Sequence, residues 1–138
     1  MRQLSPRQQG DLGELSAMEW LGSHGFAVYY PIGHSPDCDL VAERDGELLR
    51  VQVKTTTRYH NQRWEVMLCT RGGNQSWNGT SKLFSTERCE RLFVLVADGR
   101  RWFIPASAVG GGSGVLLGGP KYAGFEVEPG RRLPPRQA

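Results

Sequence analysis

The chain has 138 residues, 38% of them hydrophobic and 22% charged, with a net charge of +3 and a pI near 9.0. This length and balance describe one globular domain that buries roughly two thirds of its unfolded surface, and they exclude a disordered chain. The mild basicity permits a nucleic-acid partner without requiring one, while three cysteines at unrelated spacings (Cys38, Cys69, Cys89) exclude a zinc finger or a disulfide framework. The N-terminus "MRQLSPRQQGDLGE" lacks the apolar region of a signal peptide, and no run is long enough to span a bilayer. A soluble, cytoplasmic protein without a membrane partner is expected.

The first element is predicted to be a helix. Ser5 suits the N-cap, Pro6 suits the first helical position, and the pattern runs to about Ser23 with Gly25 as its stop. Ala17, Met18 and Leu21 form its apolar stripe, and Glu14 shares that face with Gly10 one turn earlier. A carboxylate on the inward side of a helix is the first anomaly. "FAVYYP", Phe26 to Pro31, reads as a strand closed by proline. Asp45-Gly46 then marks a hairpin between two apolar runs. A loop centred there sets Asp39 opposite Gln52 and Asp37 opposite Lys54. Asp39, Gln52 and Lys54 therefore line one face of the hairpin, and Leu40, Ala42, Leu49, Val51 and Val53 line a core-facing one.

"RWEVMLCT", Arg63 to Thr70, is a further strand, and the polar, glycine-rich Arg71 to Lys82 a long loop. A short helix is expected near Thr86 to Arg91. "ERLFVLVADGRRWFIPAS" is a second hairpin turning at Asp98-Gly99, which could serve as an interface between copies or as plain core. "VGGGSGVLLGGP" reads as flexible connection and "GFEV" as a short strand. The domain is expected to span residues 1–128, with 129–138 a flexible Arg/Pro-rich tail. The order of elements gives an α+β fold, a mixed central β-sheet with the N-terminal helix packed on it.

Bringing the inward Glu14 against the polar face of the hairpin makes Glu14, Asp39, Gln52 and Lys54 converge. Two carboxylates and an amide carbonyl are hard oxygen donors that suit Mg²⁺ rather than zinc. A lysine beside such an ion can hold or help deprotonate a water, or stabilise developing negative charge. Together these parts describe phosphodiester hydrolysis.

At these residues the sequence resembles the PD-(D/E)XK nuclease superfamily, whose signature is an acid opening one strand and (D/E)-x-K on its hairpin partner. The matching stretches are "GELSAMEWL" with Glu14, "PDCDLVAE" with Asp39 and "VQVKTT" with Gln52, Val53 and Lys54. The run "GDLGE…DLVAERDGELLRVQVKTT…FIPAS" is more closely similar to the branch that contains group I intron-encoded homing endonucleases, where glutamine replaces the acid of the third motif. The resemblance implies a restriction-endonuclease-like core and a Mg²⁺-dependent DNA endonuclease, a site-specific cutter of double-stranded DNA. Metal ligands would be Asp39, Gln52 and Glu14, with the Val53 carbonyl as a further donor, and Lys54 would orient or activate the water. The neutral Gln52 leaves one charge fewer for a second metal. One chain has one site and cuts one strand, so cutting both implies a homodimer or homotetramer. A Holliday junction resolvase or repair nuclease would use the same four residues, and an inactive DNA-binding or assembly module would keep the fold with Gln52 as a mark of lost activity.

DNA-contacting candidates follow the catalytic strand. "TTTRYHNQRW" supplies Arg58, His60 and Arg63, and the loop beyond it supplies Arg71, Asn74, Gln75 and Lys82. Asp37, directly after Pro36, reads as a turn residue. Glu43 and Arg50 read as a structural ion pair, and the cysteines as small buried hydrophobes.

Overall fold

The computed structural model describes residues 4–33, 38–68, 70–71, 81–82, 88–110 and 112–135, with the backbone alone described at 70–71 and 81–82. The chain opens with helix α1, Pro6–Ser23, entered through a complete capping box in which the Ser5 and Gln8 side chains each bond the other's backbone amide. Gly25, at φ +82°, turns the chain out of it. Strands β1 (Ala27–Tyr29), β2 (Leu40–Arg44) and β3 (Glu47–Thr56) follow as an antiparallel meander. The β2–β3 register is the expected one, Leu40 opposite Val51 and Ala42 opposite Leu49. Asp45 and Gly46 both have positive φ, as a tight two-residue hairpin turn needs.

After β3 the chain leaves the main sheet. β4 (Tyr59–His60) and β5 (Arg63–Met67) form a small hairpin, and β6 (Thr70–Arg71) pairs with β7 (Ser81–Lys82). β8 (Arg91–Val96) returns parallel to β3, and β9 (Arg101–Pro105) pairs antiparallel with β8. β10 (Gly114–Leu117) joins β5, and β11 (Glu126–Val127) closes the far edge. The result is a mixed six-stranded sheet in the order β1-β2-β3-β8-β9-β11, beside a three-stranded sheet β10-β5-β4.

Two cores make three layers of this. Ala17, Trp20 and Leu21 of α1 pack on Leu40, Ala42, Val51, Val53 and Phe93 on one face of the large sheet. On its other face, Leu92, Val94 and Val96 meet Trp64, Val66, Val115 and Leu117 of the small sheet. β8 is covered on both sides, which is why its sequence is a continuous apolar run rather than an alternating one. The β8–β9 hairpin is thus core, not an exposed interface.

Four expectations are corrected. Val115 and Leu117 are buried under β5, so the glycine-rich stretch around them holds a strand rather than a flexible connection. Arg91 begins β8, and Arg88–Glu90 is turn and irregular backbone; the remainder of the expected helix lies outside the described residues. Arg50 pairs with Glu90, its Nε 3.0 Å from Oε2, while Glu43 accepts the Tyr29 hydroxyl at 3.0 Å. The parallel arrival of β8 beside Arg50 supplies a closer carboxylate than the cross-strand one. Lastly, Leu133 of the Arg/Pro-rich end is buried, and the Gly130 and Leu133 amides donate to the Gly99 and Ala97 carbonyls.

Candidate active site

The site lies where β2 stops short of β3. The last backbone bond between the two strands runs from the Asp39 amide to the Val51 carbonyl, at 2.9 Å. Beyond it, β3 continues to Thr56 with β8 along its other edge. The Val53 amide, two residues past Val51, points to the edge that β2 has left, and Asp39 Oδ2 accepts it at 2.8 Å. A buried-edge amide must find a partner, and here that need fixes a carboxylate against the open end of the strand. By the same alternation the Val53 carbonyl also faces this edge.

Glu14 reaches Asp39 by a route different from the one expected. α1 packs on the apolar face of the hairpin, whereas Gln52 and Lys54 project from the opposite face by strand alternation. Glu14 therefore does not lie over Gln52 and Lys54. It approaches Asp39 around the open edge, and Asp39 is the hub, its charge acting on both Glu14 and Lys54. Gly13 allows the approach. A Cβ at that position would collide with Oγ1 of Thr55 and come within 3.4 Å of Val53 Cγ1, so only glycine lets α1 settle this deep on β3. From the other side Arg101, 3% exposed, anchors the helix: its guanidinium donates to the Glu128 carbonyl at 2.7 Å and to Glu19 Oε1 at 2.8 Å. Neither residue was singled out in the sequence. For Gly13 the helical spacing to Ala17 was the available signal, whereas Arg101 carries none, since Arg100 beside it is chemically identical.

Burial, then the charges of Asp39 and Asp11, push the Glu14 carboxyl above its ordinary value, against a hydrogen bond from the Tyr30 side chain that favours ionisation. Burial pulls the half-buried Lys54 ammonium below its ordinary value, with Asp39 opposing. These two shifts bring an acid and a base closer to neutrality than either is in water, a combination typical of working sites. Burial also pushes the Cys89 thiol up to about 12, which makes it an inert core residue rather than a nucleophile.

A raised carboxyl pKa means that the folded state holds this proton more tightly than the unfolded chain does. The contribution of Glu14 to stability is present below the ordinary carboxylate range and is lost as pH rises through the shifted value. Glu14→Gln is accordingly expected to melt higher than the parent at neutral pH and to match it in acid near about pH 3, where the parent's carboxyl is already protonated. A variant that melts lower at neutral pH would show that the burial and like-charge cost assigned to Glu14 is not there.

Three of the residues expected to contact DNA sit on the β4–β5 hairpin directly after β3: Arg58 and His60 are exposed and Arg63 is half-buried. The Asn61-Gln62 turn, with both φ values positive, makes this hairpin. Arg71 and Lys82 lie in the β6–β7 ladder, and Asn74 and Gln75 fall outside the described residues.

Residues 4–90, more than half of the chain, match the family model of the PD-(D/E)XK endonucleases. The chain belongs to that family. It is therefore an enzyme, an endodeoxyribonuclease, and nucleases of this family generally use divalent metal ions. The fold is also similar to that of a solved bacterial homing endonuclease, I-Ssp6803I, with a TM-score of 0.75 over 89% of each chain and 21% sequence identity. At that identity the likeness speaks for the fold. A comparison with curated proteins finds no match. Among the described residues no helix is long and apolar enough to cross a membrane.

Proposed function

We propose that this PD-(D/E)XK endonuclease is a Mg²⁺-dependent, site-specific cutter of double-stranded DNA of the homing-endonuclease type, working in the cytoplasm as a homodimer or homotetramer. The observation that carries the reading is the placement of Asp39, pinned on the open end of β3 with its charge acting on both Glu14 and the half-buried Lys54.

The donor set fits one hard divalent ion. Among the described residues no group of three or more His, Cys, Asp and Glu side chains comes together. Asp39, the Gln52 amide oxygen and the Val53 carbonyl, with Glu14 beside them, are all oxygen donors and bring only two carboxylate charges, which favours a single Mg²⁺. When bound, the ion would neutralise a phosphate oxygen and acidify a water. Lys54 orients that water and accepts its proton, a role suited to an ammonium whose pKa burial has lowered. Glu14 holds the water from the helix side. Arg58, His60 and Arg63, with Arg71 and Lys82 of the ladder and Asn74 and Gln75 of the loop, bind the DNA beside the cut. Two copies are needed because each chain brings one such site and cuts one strand. The half-buried Lys54 argues against an inactive module, since a lysine kept there without a task would cost desolvation for no return.

Calorimetric titration with Mg²⁺ tests the donor set. The parent should bind one equivalent, Asp39→Ala should bind none, and Gln52→Glu should bind more tightly while still cutting. Cleavage by Gln52→Glu abolished outright, or Mg²⁺ binding retained by Asp39→Ala, would remove these residues from the metal site.

A further inference from the structure

A groove of about 640 Å³ opens beside Lys54, within the range of about 300–1,000 Å³ typical of ligand sites. The first turns of α1 form one wall through Leu4, Pro6, Gln9 and Gly10, and Val53, Lys54 and Thr55 of β3 form the other. Lys54 is its single charged residue and Gln9 its single amide, while the Thr55 hydroxyl is itself buried against the helix without a hydrogen-bond partner among the described residues.

Gly10 is the informative wall residue. Gly13 is required by the contact with Thr55, but a Cβ at Gly10 would meet nothing within 4 Å. Gly10 is exposed and its φ is not in the left-handed region, so neither packing nor backbone conformation calls for glycine. Glycine in a helix interior is the poorest helix former apart from proline. What the missing side chain does provide is an open wall facing Lys54.

We propose that this groove seats the deoxyribose and base of the nucleotide adjoining the phosphodiester that is cut, with Gly10 leaving room for the sugar and Gln9 presenting its amide to the base edge. The proposal rests on the nuclease reading above and adds a subsite to it. The chemistry of the walls favours a nucleoside over a second phosphate. A phosphate would require further cations or converging amides, whereas Leu4, Pro6 and Val53 offer the apolar surface on which a sugar and base pack.

The test is amide NMR of the ¹⁵N-labelled protein with a short duplex of randomised sequence in EDTA, so that the DNA binds without being cut, together with DNA affinities of Gly10→Ala and Gly10→Leu. Shifts at Gln9 and Gly10 as well as at Lys54 are expected. Affinity should fall with side-chain size, slightly for Gly10→Ala and about tenfold for Gly10→Leu, although both variants should melt above the parent. Shifts at Asp39 and Lys54 that leave Gln9 and Gly10 unmoved would overturn the groove assignment and leave the nuclease reading standing, as would unchanged affinity in Gly10→Leu. No shift anywhere in the site would instead overturn the nuclease reading, and the subsite with it.

Discussion

Lys54→Ala is expected to slow DNA cleavage by about 10²–10⁴-fold, the usual loss when a positioned proton-transfer group is removed, with DNA binding and folding largely retained. The asymmetry follows from the side chain's position. Lys54 is half-buried at the free end of β3, and burial lowers its pKa more than the neighbouring Asp39 raises it. The folded protein therefore gains little from the charge, and an alanine there should melt within a few degrees of the parent. Lys54→Arg should fail to restore the rate, because a guanidinium keeps its proton at any working pH. Asp39→Ala should be equally inactive but less stable, by about 1–3 kcal/mol, since it also leaves the Val53 amide without its acceptor. Single-turnover cleavage and thermal melting of the variants separate these effects. Parent-like cutting by Lys54→Ala would take lysine out of the chemistry.

Gly13→Ala should destabilise the fold by about 1–3 kcal/mol, the usual cost of overpacking, even though alanine is a better helix former than glycine by about 1 kcal/mol. The new methyl would strike Oγ1 of Thr55, and the backbone of β3 lies close behind it. α1 would have to lift, and because Glu14 is the next residue, the lift would also draw the carboxylate from Asp39 and lower activity. Thr55→Ala removes both the obstructing oxygen and a buried hydroxyl that has no partner among the described residues. The pair Gly13→Ala, Thr55→Ala should therefore recover most of the lost stability, with a coupling energy of about 1–2 kcal/mol in a double-mutant cycle. Additive losses would mean that the helix is held by something other than this contact.

The parts of this architecture that were legible in the sequence are those specified locally. Ser5, Pro6 and Gln8 announce the start of α1, and Asp45-Gly46 with the flanking alternation gives the β2–β3 register residue by residue. From that register the facing of Gln52 and Lys54 followed. The approach of Glu14 did not, because it depends on β2 stopping near Asp39 and on which face of the hairpin the helix covers. The apolar stripe of Ala17 and Leu21 seeks Val51 and Val53, so the helix had to pack away from the polar face. β10 was hidden by its glycines: Val115 and Leu117 alternate correctly, but two residues give too short a pattern to stand out among Gly110, Gly112, Gly114 and Gly118. Arg50 and Glu90 are separated by 40 positions and meet through the parallel β3–β8 pairing, a contact that no local pattern encodes. Arg101 is similar, joining α1 to the C-terminal segment across more than 80 positions.

The central claim is that Asp39, Gln52, Glu14 and Lys54 form a metal-dependent DNA-cutting site. It is tested most directly by incubating the parent and Lys54→Ala with a pool of linear, supercoiled and four-way-junction DNA that includes randomised sequence, in Mg²⁺ or in EDTA, and sequencing the ends produced. The account predicts double-strand ends at one recurrent sequence, formed by the parent in Mg²⁺ and absent both in EDTA and with Lys54→Ala. Cutting that persists in EDTA or in the variant would contradict it, and cutting confined to the junction DNA would replace the site-specific reading with a structure-selective one.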